Sequence, residues 1–103
     1  MKLVTVIYDG GIDEAVMEQV DAMKLSGWTR FFDAHGFGGT GLKRGDQVFP
    51  GLNNILLAAL PDERVVELHR RLRKLQESFR LKPGITILAQ PVEELGPAPP
   101  EDE

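Results

Sequence analysis

Residues 53–80 read NNILLAALPDERVVELHRRLRKLQESFR, and the change of period inside this stretch decides the fold. Asn53 to Leu60 is an apolar-rich run too short for a helix and closed by Pro61, the pattern of a buried strand. From Asp62 onward Val65, Leu68, Leu72, Leu75 and Phe79 recur at steps of three and four, which lines one face of a helix ending near Arg80. At 1.5 Å per residue that helix is about 28 Å long, close to the roughly 27 Å of an eight-residue strand, so it can lie along a sheet for its whole length.

Working outward, Pro83-Gly84 turns the chain into a strand from Ile85 to Ala89. At the other end, Lys2 to Tyr8 (KLVTVIY) is rich in β-branched residues and reads as a strand ended by Asp9-Gly10-Gly11. Ile12, Val16, Val20 and Met23 then mark a first helix, with Asp13 expected as its N-cap, Ile12 placed to staple onto Met17, and Gly27 as its stop. Trp28 to His35 returns to strand composition and runs into Gly36-Phe37-Gly38-Gly39-Thr40-Gly41, too poor in side chains to pack itself, so residues 36–51 are expected to form a mobile loop. The order predicts an α+β, ferredoxin-like β-α-β-β-α-β sandwich: a four-stranded antiparallel sheet with two helices on one face. One domain covers 1–95, and the acidic, proline-rich segment 96–103 is expected to be disordered.

Composition narrows the function classes. The 103 residues carry 12 Lys and Arg against 16 Asp and Glu, a net charge of −4, and 42% of them are apolar. That is enough for one modest core. With no cysteine, disulfides, thiolate metal sites and thiol nucleophiles are excluded. The longest apolar run, Ile55 to Leu60, falls far short of the ~20 residues that cross a bilayer, so a cytoplasmic protein not inserted in membranes is expected.

The strands are apolar at both parities: Leu3-Val4-Thr5-Val6-Ile7, Ile55 to Leu60 and Ile85-Thr86-Ile87-Leu88. Two helices cover only one face of such a sheet. A homo-oligomer whose sheets face inward is the expected cover for the other, with edge loops folding back over the sheet as the alternative.

Catalytic constellations are sparse. Gly36 to Gly41 matches G-x-G-x-x-G after a strand, but a dinucleotide turn needs a helix opening at the glycines, and Leu42-Lys43-Arg44-Gly45-Asp46 leads instead to Pro50 and another strand. Exposed backbone N–H groups beside Lys43 and Arg44 remain able to hold an anion. Ser26 and Ser78 sit at helix ends, and His35 and His69 lack partners at metal-ligand spacing, so neither an enzyme nor a metal site is predicted. Asp13-Glu14 fits the helix dipole. Arg64, Arg70, Arg71, Arg73, Lys74, Arg80 and Lys82 make the second helix and its exit basic, but no aromatic residue is interleaved with the arginines, which favours a solvated face over a nucleic-acid surface.

The sequence resembles the nitrogen-regulatory PII signal-transduction family and its PII-like relatives. The likeness rests on Met1-Lys2-Leu3-Val4-Thr5 with Ile12-Asp13-Glu14-Ala15-Val16, on Gly36-Phe37-Gly38 after the second strand, and on Ile87 to Pro91-Val92-Glu93-Glu94. It implies a homotrimer with inward-facing sheets, a small anionic effector such as an adenine nucleotide bound between subunits, and a 36–50 loop that engages a protein partner, for example a membrane transporter. By position it places Gly36, Phe37, Gly38 and Gly39 near the ligand cleft, with Lys82 and Gly84 supplied by the adjacent subunit. The family's Gly-Asp-Gly-Lys-Ile phosphate loop is replaced here by Arg80-Leu81-Lys82-Pro83-Gly84-Ile85, and the 36–50 loop has no tyrosine for nucleotidylylation. These departures point to a PII-like protein outside the nitrogen-control group. A CutA-like metal-responsive trimer, with His35 and Asp33 or Asp46 as ligands, is the alternative, and a small ferredoxin-like enzyme ranks last.

Overall fold

The computed structural model describes residues 1–38, 41–43 and 52–101. The chain forms β1 (Lys2–Asp9), a 3₁₀ turn (Gly10–Ile12), α1 (Asp13–Met23), β2 (Thr29–Ala34), β3 (Gly36–Gly38), β4 (Gly41–Lys43), β5 (Asn53–Leu60), α2 (Asp62–Ser78) and β6 (Ile85–Pro91). Four strands make an antiparallel sheet in the order β2-β5-β1-β6, and β3 pairs with β4 in a separate ribbon. This is the expected ferredoxin-like α+β arrangement.

Register sorts the two-sided strands into two layers. Val4 lies opposite Ala58, and Val6 opposite Leu56, and with Tyr8 and Leu60 these residues are buried in one core with Val16, Val20 and Met23 of α1 and Leu68 and Leu72 of α2. Each fully buried Val or Leu contributes roughly 1.5–3 kcal/mol of apolar transfer. The alternate residues face away from the helices. Leu3, Ile7, Ile55 and Leu57 on the central strands, Phe31 on β2 and Leu88 on β6 form an apolar surface with no layer over it among the described residues, and Phe31 and Leu88 are 52% and 54% exposed.

Helix ends depart from the expected caps. Asp13 does not cap α1: it is the first helical residue, Ile12 holds the cap position without a side-chain bond, and Asp9 Oδ1 instead accepts from the Gly11 N–H at 2.7 Å in the preceding 3₁₀ turn. The Asp13 carboxylate is directed to partners on β1, β2 and β5. Nor does α1 run to Gly27; it stops at Lys24, in the left-handed region at φ 52, and Arg64 of α2 donates to the Met23 carbonyl. A cation reaching in from the neighbouring helix satisfies an end that carries no basic residue in its own last turn. α2 opens on Pro61, whose carbonyl accepts from Arg64 and Val65, and closes at Phe79, slightly before the expected end. Near its start the Lys2 ammonium and the N-terminal ammonium hold the Asp62 carboxyl below the usual carboxylate range.

The expected 36–51 loop is partly regular. Gly36 pairs with Lys43, Phe37 with Leu42 and Gly38 with Gly41. Lack of side chains bars a segment from the core but leaves its backbone free to pair, and this register sets the two apolar residues of the ribbon directly opposite each other. Residues 39–40 and 44–51 lie outside the described residues. β6 extends two residues beyond the expected Ala89, and residues 92–101 carry neither helix nor strand.

Candidate functional site

Three connections meet at one end of the sheet. β1 ends there at Asp9, opposite Asn53 at the start of β5; Tyr8 lies opposite both Asn54 and Ile85, where β6 begins; and Ala34, the end of β2, lies opposite Asn53. Strand order therefore sets the β2 exit and the β6 entry at the same end but on opposite edges, three strand spacings or about 14 Å apart.

A polar cluster fills the helix side of this end. Asp13 accepts from Tyr8 Oη at 2.6 Å, from Asn54 Nδ2 at 2.9 Å and from Arg30 Nη1 at 3.1 Å. Burial first, and then the bond to Asp13 and its negative charge, push the Tyr8 hydroxyl well above the ordinary phenol range. The Arg30 guanidinium carbon lies 5.4 Å from the centre of the Trp28 ring and 4.5 Å from that of Phe32, within cation–π range of both. Its Nε is buried with no hydrogen-bond partner among the described residues. Beside the cluster opens a cavity of about 400 Å³ lined by Gly10, Gly11, Asp13, Phe32, Asp33 and Asn54. A second, of about 520 Å³, lies on the outer helix face between Gln19 of α1 and Arg70, Arg71 and Lys74 of α2, away from the strand ends.

The residues expected at the ligand cleft divide between the two edges. Gly36, Phe37 and Gly38 form β3, just beyond β2. A Cβ on Gly36 would stand 2.9 Å from Asn53 Nδ2, and Phe37 is 83% exposed. Gly39 lies outside the described residues. On the other edge Lys82 Nζ pairs with Glu77 Oε2 at 2.9 Å, while a Cβ on Gly84 would meet nothing within 4 Å. Two α2 side chains brace this connection: Gln76 Nε2 donates to the Pro83 carbonyl at 2.7 Å and Arg73 Nη1 to the Ile85 carbonyl at 2.8 Å. One chain does not bring the two groups together.

Tyr8, Asp13, Arg30 and Asn54 were not expected here. A signal existed: Trp28, Arg30 and Phe32 alternate along a strand, which puts a cation and two rings on one face. Among the described residues no three His, Asp or Glu side chains converge as a metal-ligand set, Asp46 lies outside them, and no described helix is long and apolar enough to cross a membrane.

No protein-family model matches the sequence, and no curated protein matches it. Solved structures do. CPII, a nitrogen regulatory PII-like protein from Thiomonas intermedia K12 bound to ADP, AMP and bicarbonate, is similar at a TM-score of 0.66 and 21% identity, over 86% of this chain and 84% of that one. A protein of Thermus thermophilus described as PII-like in signalling gives 0.57 at 22% identity, over 86% and 83%. A functionally unknown protein from Pediococcus pentosaceus ATCC 25745 gives 0.62 at 20% identity, over 93% and 95%. At these identities the likeness is one of fold, and the fold is that of PII-like proteins.

Proposed function

We propose that this chain is a non-enzymatic, PII-like regulator that assembles as a cytoplasmic homotrimer and binds a small anionic effector, an adenine nucleotide or bicarbonate, between subunits. One observation carries the reading: the two groups of expected ligand residues stand at the same end of the sheet on opposite edges, beside an apolar face that no described residue covers. A symmetric ring that buries those faces sets the β2 edge of one subunit against the β6 edge of the next. CPII, which has this fold, binds ADP, AMP and bicarbonate. Gly36, Phe37 and Gly38 then meet Lys82 and Gly84 across the boundary, with the Lys82 ammonium exchanging Glu77 for the anion.

Regulation follows by population shift. An effector that contacts the β3–β4 ribbon in only one of its arrangements changes the affinity for a protein partner, for example a transporter, by its differential binding free energy. Sedimentation should give three times the chain mass, and calorimetry should give saturable heat with at least one of ATP, ADP, AMP and bicarbonate. Lys82→Ala should weaken that binding by roughly five- to thirtyfold, the 1–2 kcal/mol of a charge-assisted contact. A stable lone subunit, or silence across the ligand panel, overturns the reading.

A further inference from the structure

The β3–β4 ribbon leaves the main sheet at a bulge. β2 stays in register with β5 through Phe31 opposite Ile55 and resumes at Ala34 opposite Asn53, so β2 carries one extra residue. Within that bulge Asp33 sits at φ 62, in the left-handed region, which Asp enters more readily than most residues with a Cβ but which a bond to its backbone helps to fix.

The holding group is Asn54. Its Oδ1 accepts from the Asp33 N–H at 3.3 Å and its Nδ2 donates to Asp13 Oδ1 at 2.9 Å, and the residue is 3% exposed. Both ends of the amide are thus committed. Asp13 is itself fixed by Tyr8 and Arg30, so the chain of bonds runs from the first turn of α1 through the start of β5 to the root of the ribbon. A buried amide with opposite partners at its two ends has one orientation, and reversing or removing it strands the Asp33 N–H.

We propose that Asn54 and Asp13 are positioning residues for the ribbon: by holding the Asp33 bulge they set the direction in which β3 and β4 leave the sheet, and with it the placement of Gly36 and Phe37 toward a ligand. The regulatory meaning rests on the function proposed above, but ribbon direction is a property of the ligand-free protein. The two are therefore tested separately.

The sequence contains no cysteine, so Phe37→Cys and Glu18→Cys give two unique attachment points, on the exposed ribbon and the exposed face of α1. Spin-label distances are measured on the full chain, with labelled copies diluted into unlabelled ones before assembly. Without ligand, the parent should give one narrow distance. In Asn54→Leu and in the milder Asn54→Ser, loss of the acceptor for Asp33 should shift the ratio of held to released ribbon roughly tenfold, seen as a second or broadened distance. Asn54→Asp alone sets two carboxylates face to face and should do the same. The exchanged pair Asp13→Asn/Asn54→Asp again opposes one amide to one carboxylate and should recover the narrow distance. Variants that fold by circular dichroism, lose stability and keep the parental distance would show a merely structural role and overturn the proposal. Calorimetric silence of the cysteine-free chain toward both nucleotides and bicarbonate would remove the effector reading and leave the label distances to decide the positioning role.

Discussion

Tyr8 is the only tyrosine in the chain, so its ionisation can be followed directly by phenolate absorbance. The unfolded phenol titrates near 10, and the folded value lies higher because burial and Asp13 both oppose the phenolate. Stabilisation from neutral Tyr8 is therefore complete below pH 10 and is lost as pH rises through the folded value. In an alkaline titration the absorbance should appear together with unfolding and not before it. Tyr8→Phe should cost about 1 kcal/mol at neutral pH and flatten that part of the alkaline loss, measured by urea unfolding. Gly10 makes a different residue-scale case. Its N–H donates to the Leu52 carbonyl at 2.7 Å, and a Cβ would stand 2.8 Å from that same oxygen, so Gly10→Ala should cost roughly 1–3 kcal/mol. Gly84→Ala, facing open space, should change stability by less than about 0.5 kcal/mol. The glycines at the ends of β1 and β2 were visible in the sequence. The Asp13 cluster was not, because a carboxylate at a helix start ordinarily serves its own helix, and its three partners come from 5, 17 and 41 residues away along the chain.

Elements were legible wherever a period persisted. The stripe from Val65 to Leu75 and the runs in β1 and β5 gave the strand and helix order, and local stops such as Pro61 and Pro83 bounded them. Ends failed where a distant group did the capping. Nothing near Met23 announces that Arg64, on another helix, will satisfy its carbonyl, so α1 ends before the glycine that looked like its stop. Lys24 is left in the left-handed conformation at φ 52, which costs a residue with a Cβ ~1–2 kcal/mol. Lys24→Gly should therefore raise stability by about 1 kcal/mol in chemical unfolding, since the helix already stops there. The β3–β4 ribbon was hidden for another reason: glycine-rich composition predicts the absence of core packing correctly and says nothing about backbone pairing.

At the scale of the whole molecule the sheet has one finished side. Sequence parity announced this, since β1, β5 and β6 are apolar at both alternations, and the register assigns one set to the core and leaves the other uncovered among the described residues. Leu57 stands near the middle of that surface, between Thr5 and Thr29 on the neighbouring strands. Leu57→Glu should leave the secondary structure of a single chain intact and shift sedimentation to the lighter species, because the charge meets water in one copy and another apolar sheet in an assembly. Leu72→Ala, on the finished side, should instead cost about 2–5 kcal/mol of unfolding free energy. In the trimer proposed above, that side also makes robustness a collective property. If assembly and folding share that surface, resistance to heat must climb with the amount of protein in solution, and extreme dilution alone should weaken a chain that no mutation has touched.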